Sequence, residues 1–261
     1  MKHSIFFTVD ASILCLFLFV GCILMVIIGK WARDKFLRPD EQESKGGVNA
    51  LLGALFGLWG FILAFTFGNV SARFENVRAT MVDEANLIRT VILRAETLPD
   101  SLRGVFQDDL QKYLQTRIDY YEYAEDLEKF AQTKQDAAEI GKRLWTQTVT
   151  ASAVPGFTLS ANNMLAALAA MYDVGARRDA TLMSAIPTPI SVMLFFIALV
   201  ISFVGGFTSP VLKMKEWVVI VGFILLACLI IYVTLDMARP MRGFIRPDVG
   251  QEKIQQLKEL F

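Results

Sequence analysis

The sequence predicts an all-α membrane protein: four transmembrane helices, with a helical soluble domain inserted between the second and third and the second helix continuing into the soluble bundle. Three observations predict it. Hydrophobic residues make up 54% of the 261, and the mean hydropathy is +0.44, too apolar for an ordinary soluble domain. Charged residues still make up 20%, too many for a chain lying wholly in lipid. No stretch alternates with the period of two that a half-buried strand requires, whereas helical spacing by threes and fours is plain in the polar section.

Four uncharged runs stand out: Ala11 to Gly29, Gly46 to Ala72, Ala180 to Leu212 and Trp217 to Leu235. Each reaches the roughly 18 to 20 residues that a helix needs to cross hydrocarbon. The first has an apolar core longer than the ~7 to 15 residues of a signal peptide. No small-x-small cleavage site precedes Lys30, so this run is expected to stay in the mature protein. The third run exceeds a single crossing and carries Pro187 and Pro189 near its start and Gly205, Gly206 and Pro210 near its end, which places the span at Ile190 to Phe207. With the amino terminus inside, eight basic residues would flank the spans there (Lys2, Arg73, Arg78, Arg177, Arg178, Arg239, Arg242, Arg246) against seven outside (Lys30, Arg33, Lys35, Arg38, Lys45, Lys213, Lys215). That near balance favours neither orientation, while the cluster just after the first span argues for the opposite one. Trp31, Trp217 and Tyr232 suit the two interfaces, where amphipathic rings collect.

Between Ser71 and Asp179 the chain turns polar. Val70, Phe74, Val77, Met81, Ala85, Ile88, Ile92 and Ala95 fall on one helical face, so the second span continues into water until Pro99 breaks it. Asp100 or Ser101 is the expected N-cap of the next helix, with Phe106, Leu110, Tyr113, Tyr120, Tyr121, Ala124 and Leu127 on its buried side. A shorter helix is expected from Ala137 to Thr148, then a break at Val154-Pro155-Gly156 and a further helix from Ser160 to Ser184. The resulting divisions are 1–72 and 186–240 for the spans, 73–185 for the soluble bundle, and 241–261 for a polar carboxyl-terminal tail.

Several functions are excluded by composition. The 26 Lys and Arg balance 26 Asp and Glu and form no long basic run, which sets nucleic acid aside. Cys15, Cys22 and Cys228 all lie in apolar stretches without paired spacing, so no disulfide and no metal site are expected. The only histidine is His3, which excludes histidine triads and common zinc sites. Gly53, Gly57 and Gly60 sit in an apolar run with no preceding strand and no Lys-Ser/Thr pair, so they read as helix-packing positions, not a phosphate loop. Asp83-Glu84 and Asp108-Asp109 read as solvated faces of polar helices. No enzymatic activity and no cofactor are expected.

The second span is the informative one. Thr66, Asn69, Arg73 and Asn76 recur at three, four and three residues and share a face that begins within the hydrocarbon. Leu58, Phe61, Ile62 and Phe65 form an adjacent bulky apolar stripe. Around an axis of several copies, Phe61, Ile62 and Phe65 would form a constriction that gates by dewetting, and Thr66, Asn69 and Arg73 a wetter vestibule favouring anions. The other reading makes Thr66 and Asn69 hydrogen-bond neighbouring helices of one subunit while Arg73 snorkels to head groups. At the end of the fourth span, Asp236 and Arg239 stand three apart at the membrane boundary and are expected to pair as a structural ion pair.

Three segments carry a family resemblance. Gly60-Phe61-Ile62-Leu63-Ala64-Phe65-Thr66-Phe67 leads to Arg73-Phe74, then to Val82-Asp83-Glu84-Ala85-Asn86-Leu87-Ile88 and Leu93-Arg94-Ala95-Glu96-Thr97-Leu98-Pro99. Arg177-Arg178-Asp179 comes shortly before Ile186-Pro187. The third segment is Leu235-Asp236-Met237-Ala238-Arg239-Pro240-Met241-Arg242-Gly243-Phe244-Ile245. Together they resemble the bestrophin-like domain family, itself distantly similar to the bestrophin anion channels. Leu63, Phe65, Arg73, Phe74, Arg78 and Arg89 are similar in type and spacing to residues of the bacterial bestrophin pore helix. The chain departs from that pattern in having a single Phe74 after the Arg and no equivalent of the acidic calcium clasp, so calcium gating does not carry over.

The resemblance implies an integral protein of a bacterial inner (plasma) membrane that forms a homo-oligomer. Five subunits would follow by analogy, while two or four are equally compatible with the helical bundle. It also implies an ion channel for inorganic ions, anion-permeable and lined by the second transmembrane helix, with the lipid bilayer as its other partner. The alternative is a non-conducting membrane scaffold or signalling protein working through its soluble helices. A secondary transporter is disfavoured, since four spans show neither an inverted repeat nor a broken helix with a buried ionisable site.

Overall fold

The structure, a computed structural model, describes residues 9–36, 45–123, 126–183, 188–208, 214–241 and 243–261. Among them no strand occurs. The helices are α1 (Ala11–Phe36), α2 (Lys45–Ala95), α3 (Asp100–Glu122), α4 (Leu127–Ser152), α5 (Thr158–Met183), α6 (Thr188–Thr208), α7 (Met214–Met237) and α8 (Asp248–Gln256), followed by a 3₁₀ turn at Leu257–Leu260. Four of them, α1, α2, α6 and α7, are long and apolar enough to cross a membrane. At 1.5 Å per residue, the 51 residues of α2 extend about 77 Å, far beyond the ~30 Å of hydrocarbon. Apart from Lys45 at its start, its charged residues begin at Arg73, so the portion able to cross is the uncharged run from Gly46 to Ala72.

The chain divides into two compact units, one of residues 1–72 and 185–239, the other of 73–184 and 240–261. In the first, α1, the apolar part of α2, α6 and α7 share a core that includes Leu18, Cys22, Trp59, Leu63, Leu194 and Ile231. Two glycines set the approach of α1 to α6. A Cβ on Gly29 would lie 2.1 Å from the Phe203 carbonyl oxygen, and one on Gly206 would lie 2.1 Å from that of Val26. In lipid, where hydrophobic burial does not drive helices together, such backbone contact is a principal source of packing energy. Gly53, Gly57 and Gly60, expected to serve this purpose, meet nothing within 4 Å among the described residues.

The second unit is built from the charged half of α2 with α3, α4, α5 and α8. Its core takes Ile88 and Ile92 from α2, Phe106 and Leu110 from α3, Leu144 from α4, Met164 and Leu168 from α5, and Ile254 from α8. The apolar stripe read from α2 is buried as expected: Val77, Met81, Ile88 and Ala95 are all fully covered. Other details differ. Pro99, not Asp100 or Ser101, caps α3, and no side chain caps it; Pro is well suited to a helix entrance because it has no N–H to satisfy. The helix expected at Ala137 to Thr148 begins at Leu127, because the Asp126 carboxylate accepts from the backbone N–H groups of Glu128 and Lys129, both at 3.2 Å. Leu127 therefore opens α4, while Ala124 and the end of the Ser160 to Ser184 helix lie outside the described residues.

Residues 241–261, expected as a polar tail, fold onto this unit. Ile254 and Leu257 enter its core, and Gln251 donates from Nε2 to the Ile118 carbonyl at 3.2 Å. The reason is the spacing of Gly250, Ile254 and Leu257, which puts three buried positions on one face of a short polar helix.

Candidate functional site

The apolar part of α2 has two faces. Its inner face packs in the first unit: Trp59 donates from Nε1 to the Leu194 carbonyl at 3.4 Å, and Phe56 meets Phe223 edge-on at 5.3 Å between ring centroids. Ile62 packs against the same core, half-buried. Thr66 is 6% exposed, and its hydroxyl donates to the Ile62 carbonyl at 2.7 Å, which satisfies it within the helix. The outer face carries Leu58, Phe61 and Phe65, which are 53, 70 and 64% exposed. Around them, Gly53, Gly57, Gly60 and Gly68 have open space where a side chain would stand. Asn69 extends this face and donates from Nδ2 to the Phe65 carbonyl at 3.1 Å.

Phe61, Phe65 and Asn69 thus lie together on one outward face, while Ile62 and Thr66 turn toward helices of their own chain. Arg73 is half-buried in the second unit, where Nη2 donates to the Thr181 carbonyl at 3.3 Å. The first unit also contains a cavity of about 1090 Å³ lined by apolar side chains such as Leu63, Phe67, Ile201, Phe223 and Ile224. Ser202 and Thr208 add hydroxyls to this largely apolar lining. At the far end of α7, Asp236 is buried, the Arg239 backbone N–H donates to its carbonyl at 3.0 Å, and Arg239 Nη1 donates to the Val9 carbonyl at 2.7 Å.

The second unit holds an ionic cluster that the sequence reading missed. Glu84, read as part of a solvated face, is completely buried. It accepts from Arg117 Nε on one carboxylate oxygen and from Arg178 Nη1 on the other, both at 2.5 Å. Arg117 Nη2 also donates to Asp179 at 3.3 Å, and Lys134 stands 3.6 Å from the other Asp179 oxygen. Both guanidinium groups lie over the Tyr120 ring, 4.8 and 5.4 Å from its centroid. Burial alone would raise the pKa of Glu84; the charges and hydrogen bonds of Arg178 and Arg117 overcome it and hold the carboxyl below its ordinary range. Asp109 is likewise buried, accepting from Arg143 at 3.1 Å and from Gln147 at 2.8 Å. Their neighbours Asp83 and Asp108 are exposed as expected. The overlooked signal is positional. Glu84 stands seven residues from Val77, three from Met81 and four from Ile88, within the buried stripe, where a carboxylate requires a partner.

With this geometry in place, comparison with known families is decisive: the bestrophin-like domain matches residues 15–247. The chain belongs to the bestrophin-like domain family. The match covers both compact units. Comparisons with curated proteins and with solved structures each found no match. In this bestrophin-like chain, two of the three resembling segments meet in the ionic cluster, since Val82–Ile88 supplies Glu84 and Arg177–Asp179 supplies Arg178 and Asp179. Among the described residues no group of His, Cys, Asp and Glu could hold a metal ion.

Proposed function

We propose that this protein is an oligomeric ion channel of the bestrophin-like type, anion-permeable, with its pore lined by the outer face of α2 and its second unit in water. The observation that supports the reading is that face: large side chains at Leu58, Phe61 and Phe65 alternate with glycines where a Cβ would meet nothing within 4 Å among the described residues. Copies of α2 brought around an axis would approach closely at the glycines and oppose their phenylalanines, a constriction that closes by dewetting. Asn69, on the same face, would supply the polar ring beyond it. Arg73 would act there by its charge, from the place where the Thr181 carbonyl holds it. Ile62 and Thr66 would support the wall from behind. Asp236 and Arg239 would close the end of α7 as an ion pair.

The test is current through the purified full chain in planar bilayers under a chloride gradient, with a potassium gradient as counter-test. Discrete openings reversing near the chloride potential are expected. Phe65→Ala should increase conductance, and unchanged current from an intact oligomer would remove Phe65 from the gate. A silent bilayer with the oligomer intact would sink the channel reading in favour of a non-conducting scaffold.

A further inference from the structure

The apolar cavity of the first unit, about 1090 Å³, lies between α1, α2, α6 and α7 and slightly exceeds the ~300 to 1,000 Å³ of ordinary ligand sites. Its lining runs along α2 from Leu52 to Phe67 and along α7 from Val219 to Val233, about 22 and 21 Å at 1.5 Å per residue. That is longer than the ~15 Å of one leaflet, half of the hydrocarbon core. The cavity is reachable from outside: Val219, Phe223 and Phe67 are 70, 45 and 37% exposed, and Gly205 on α6 has open space where a side chain would stand.

The hydroxyls and the indole that reach this space are engaged. Ser202 donates to the Ala198 carbonyl at 2.8 Å, Thr208 to the Val204 carbonyl at 3.0 Å, and Trp59 Nε1 to the Leu194 carbonyl. Water needs roughly two to four polar partners and finds too few here, while an empty space forfeits the dispersion energy of the side chains around it. Hydrocarbon is the filling that matches, and a bilayer supplies it as acyl chains.

The charge at one end selects among lipids. Val26 on α1 and Val219 on α7 line the cavity, and Lys30 and Lys215 stand four residues beyond them, one turn further along each helix. Both lysines belong to the same membrane face, because α1 closes against the end of α6, where Gly29 meets Phe203 and Gly206 meets Val26, and α7 starts six residues after Thr208. Lys30 is half-buried and Lys215 exposed, and neither has a hydrogen-bond or ion-pair partner among the described residues. Arg33 and Lys35 lie on the last turn of α1, with Lys35 over the Trp31 ring at 4.8 Å. Asp34 and Glu216 are the acidic residues beside them, so positive charge predominates at this end.

We propose that the cavity is a binding site for one anionic phospholipid, with its acyl chains between the four spans and its phosphate at Lys30 and Lys215. A lysine suits this place, because its stem runs along apolar surface while its ammonium meets a phosphate as a point charge at head-group depth. The site does not rest on the conducting reading, and its test reads no current.

The test counts lipids on the purified full chain by native mass spectrometry from an uncharged detergent, with dioleoyl phosphatidylglycerol or dioleoyl phosphatidylcholine, which share their acyl chains and differ in net charge. Phosphatidylglycerol should occupy one site per chain and bind at least about tenfold more tightly, the combined attraction of two lysines for an anionic head group. Lys215→Gln alters an exposed position and keeps the fold, and should already reduce that preference; with Lys30→Gln added, the two lipids should bind alike. Ala227→Phe places a ring in the cavity from α7 and should weaken both lipids at least about tenfold. Equal binding of the two lipids to the parent chain, a preference that survives loss of both lysines, or binding undiminished by Ala227→Phe in a folded chain would each overturn the proposal. Associated copies that retain neither lipid would overturn it too, and would make a second copy the filling of the cavity.

Discussion

Replacing Glu84 with Gln removes one charge and almost no volume, so its consequences are electrostatic. Glu84 is completely buried and receives Arg117 on one oxygen and Arg178 on the other. After substitution Arg117 keeps Asp179, but Arg178, itself completely buried, loses its only acidic partner among the described residues. Breaking a buried pair from one side costs about 3 to 5 kcal/mol, because an uncompensated charge remains in a low-dielectric interior. For a unit of about this size, 1 kcal/mol corresponds to roughly 3 to 4 °C of melting temperature, so a fall of about 9 to 20 °C is expected. The assay is thermal unfolding of the full chain in detergent, followed by circular dichroism. Adding Arg178→Met to Glu84→Gln should restore much of the loss, because the second change removes the stranded charge. A fall of less than about 3 °C for Glu84→Gln alone, or no recovery in the double variant, would refute the reasoning. The pH dependence has a definite sign. The folded pKa of Glu84 is depressed, so its stabilisation is fully present above the unfolded carboxyl value and is lost as pH falls through the folded value. The variant should lack this acid-range loss while matching the parent's profile near neutrality.

Three further outcomes follow from packing. Gly206→Ala would place a methyl 2.1 Å from the Val26 carbonyl oxygen, so α1 and α6 must separate, at a cost of about 1 to 3 kcal/mol read as a lower melting temperature. At Gly57 a Cβ meets nothing within 4 Å among the described residues, so Gly57→Leu should leave monomer folding intact while reducing the oligomer in size-exclusion chromatography with light scattering; an unchanged oligomer would take this face of α2 out of assembly. Ile254→Ala empties a fully buried position where α8 meets the core and should cost about 2 to 5 kcal/mol, with α8 becoming more sensitive to protease; a cost near zero would show that the carboxyl-terminal helix contributes nothing to the unit.

Much of the fold was legible in the sequence because lipid imposes a simple rule on composition. Uncharged runs of sufficient length identified α1, α2, α6 and α7, and the stripe from Val77 to Ala95 identified the continuation of α2. Boundaries set by single residues were less legible. The start of α4 depends on the Asp126 cap, and that of α3 on Pro99, signals confined to one or two side chains. The carboxyl-terminal helix escaped notice because nine largely polar residues become ordered only when Ile254 finds a core to enter.

The candidate site divides in the same way. Residue types and spacing placed Phe61, Phe65 and Asn69 on one side of the second span, but Thr66, only one residue beyond Phe65, turns inward, because 100° of rotation separates neighbouring positions. Legible in the residues alone were the class of protein, the number of apolar runs and the resemblance to the bestrophin-like family. Tertiary structure alone decided that Glu84 joins Arg117 and Arg178, that Gly29 and Gly206 bring two backbones into contact, and that four spans border an apolar cavity. The physical reason is range. Hydropathy and helical period are properties of contiguous residues, whereas a buried charge or a close backbone approach depends on partners 33, 94 or more positions away, which only the folded chain brings together.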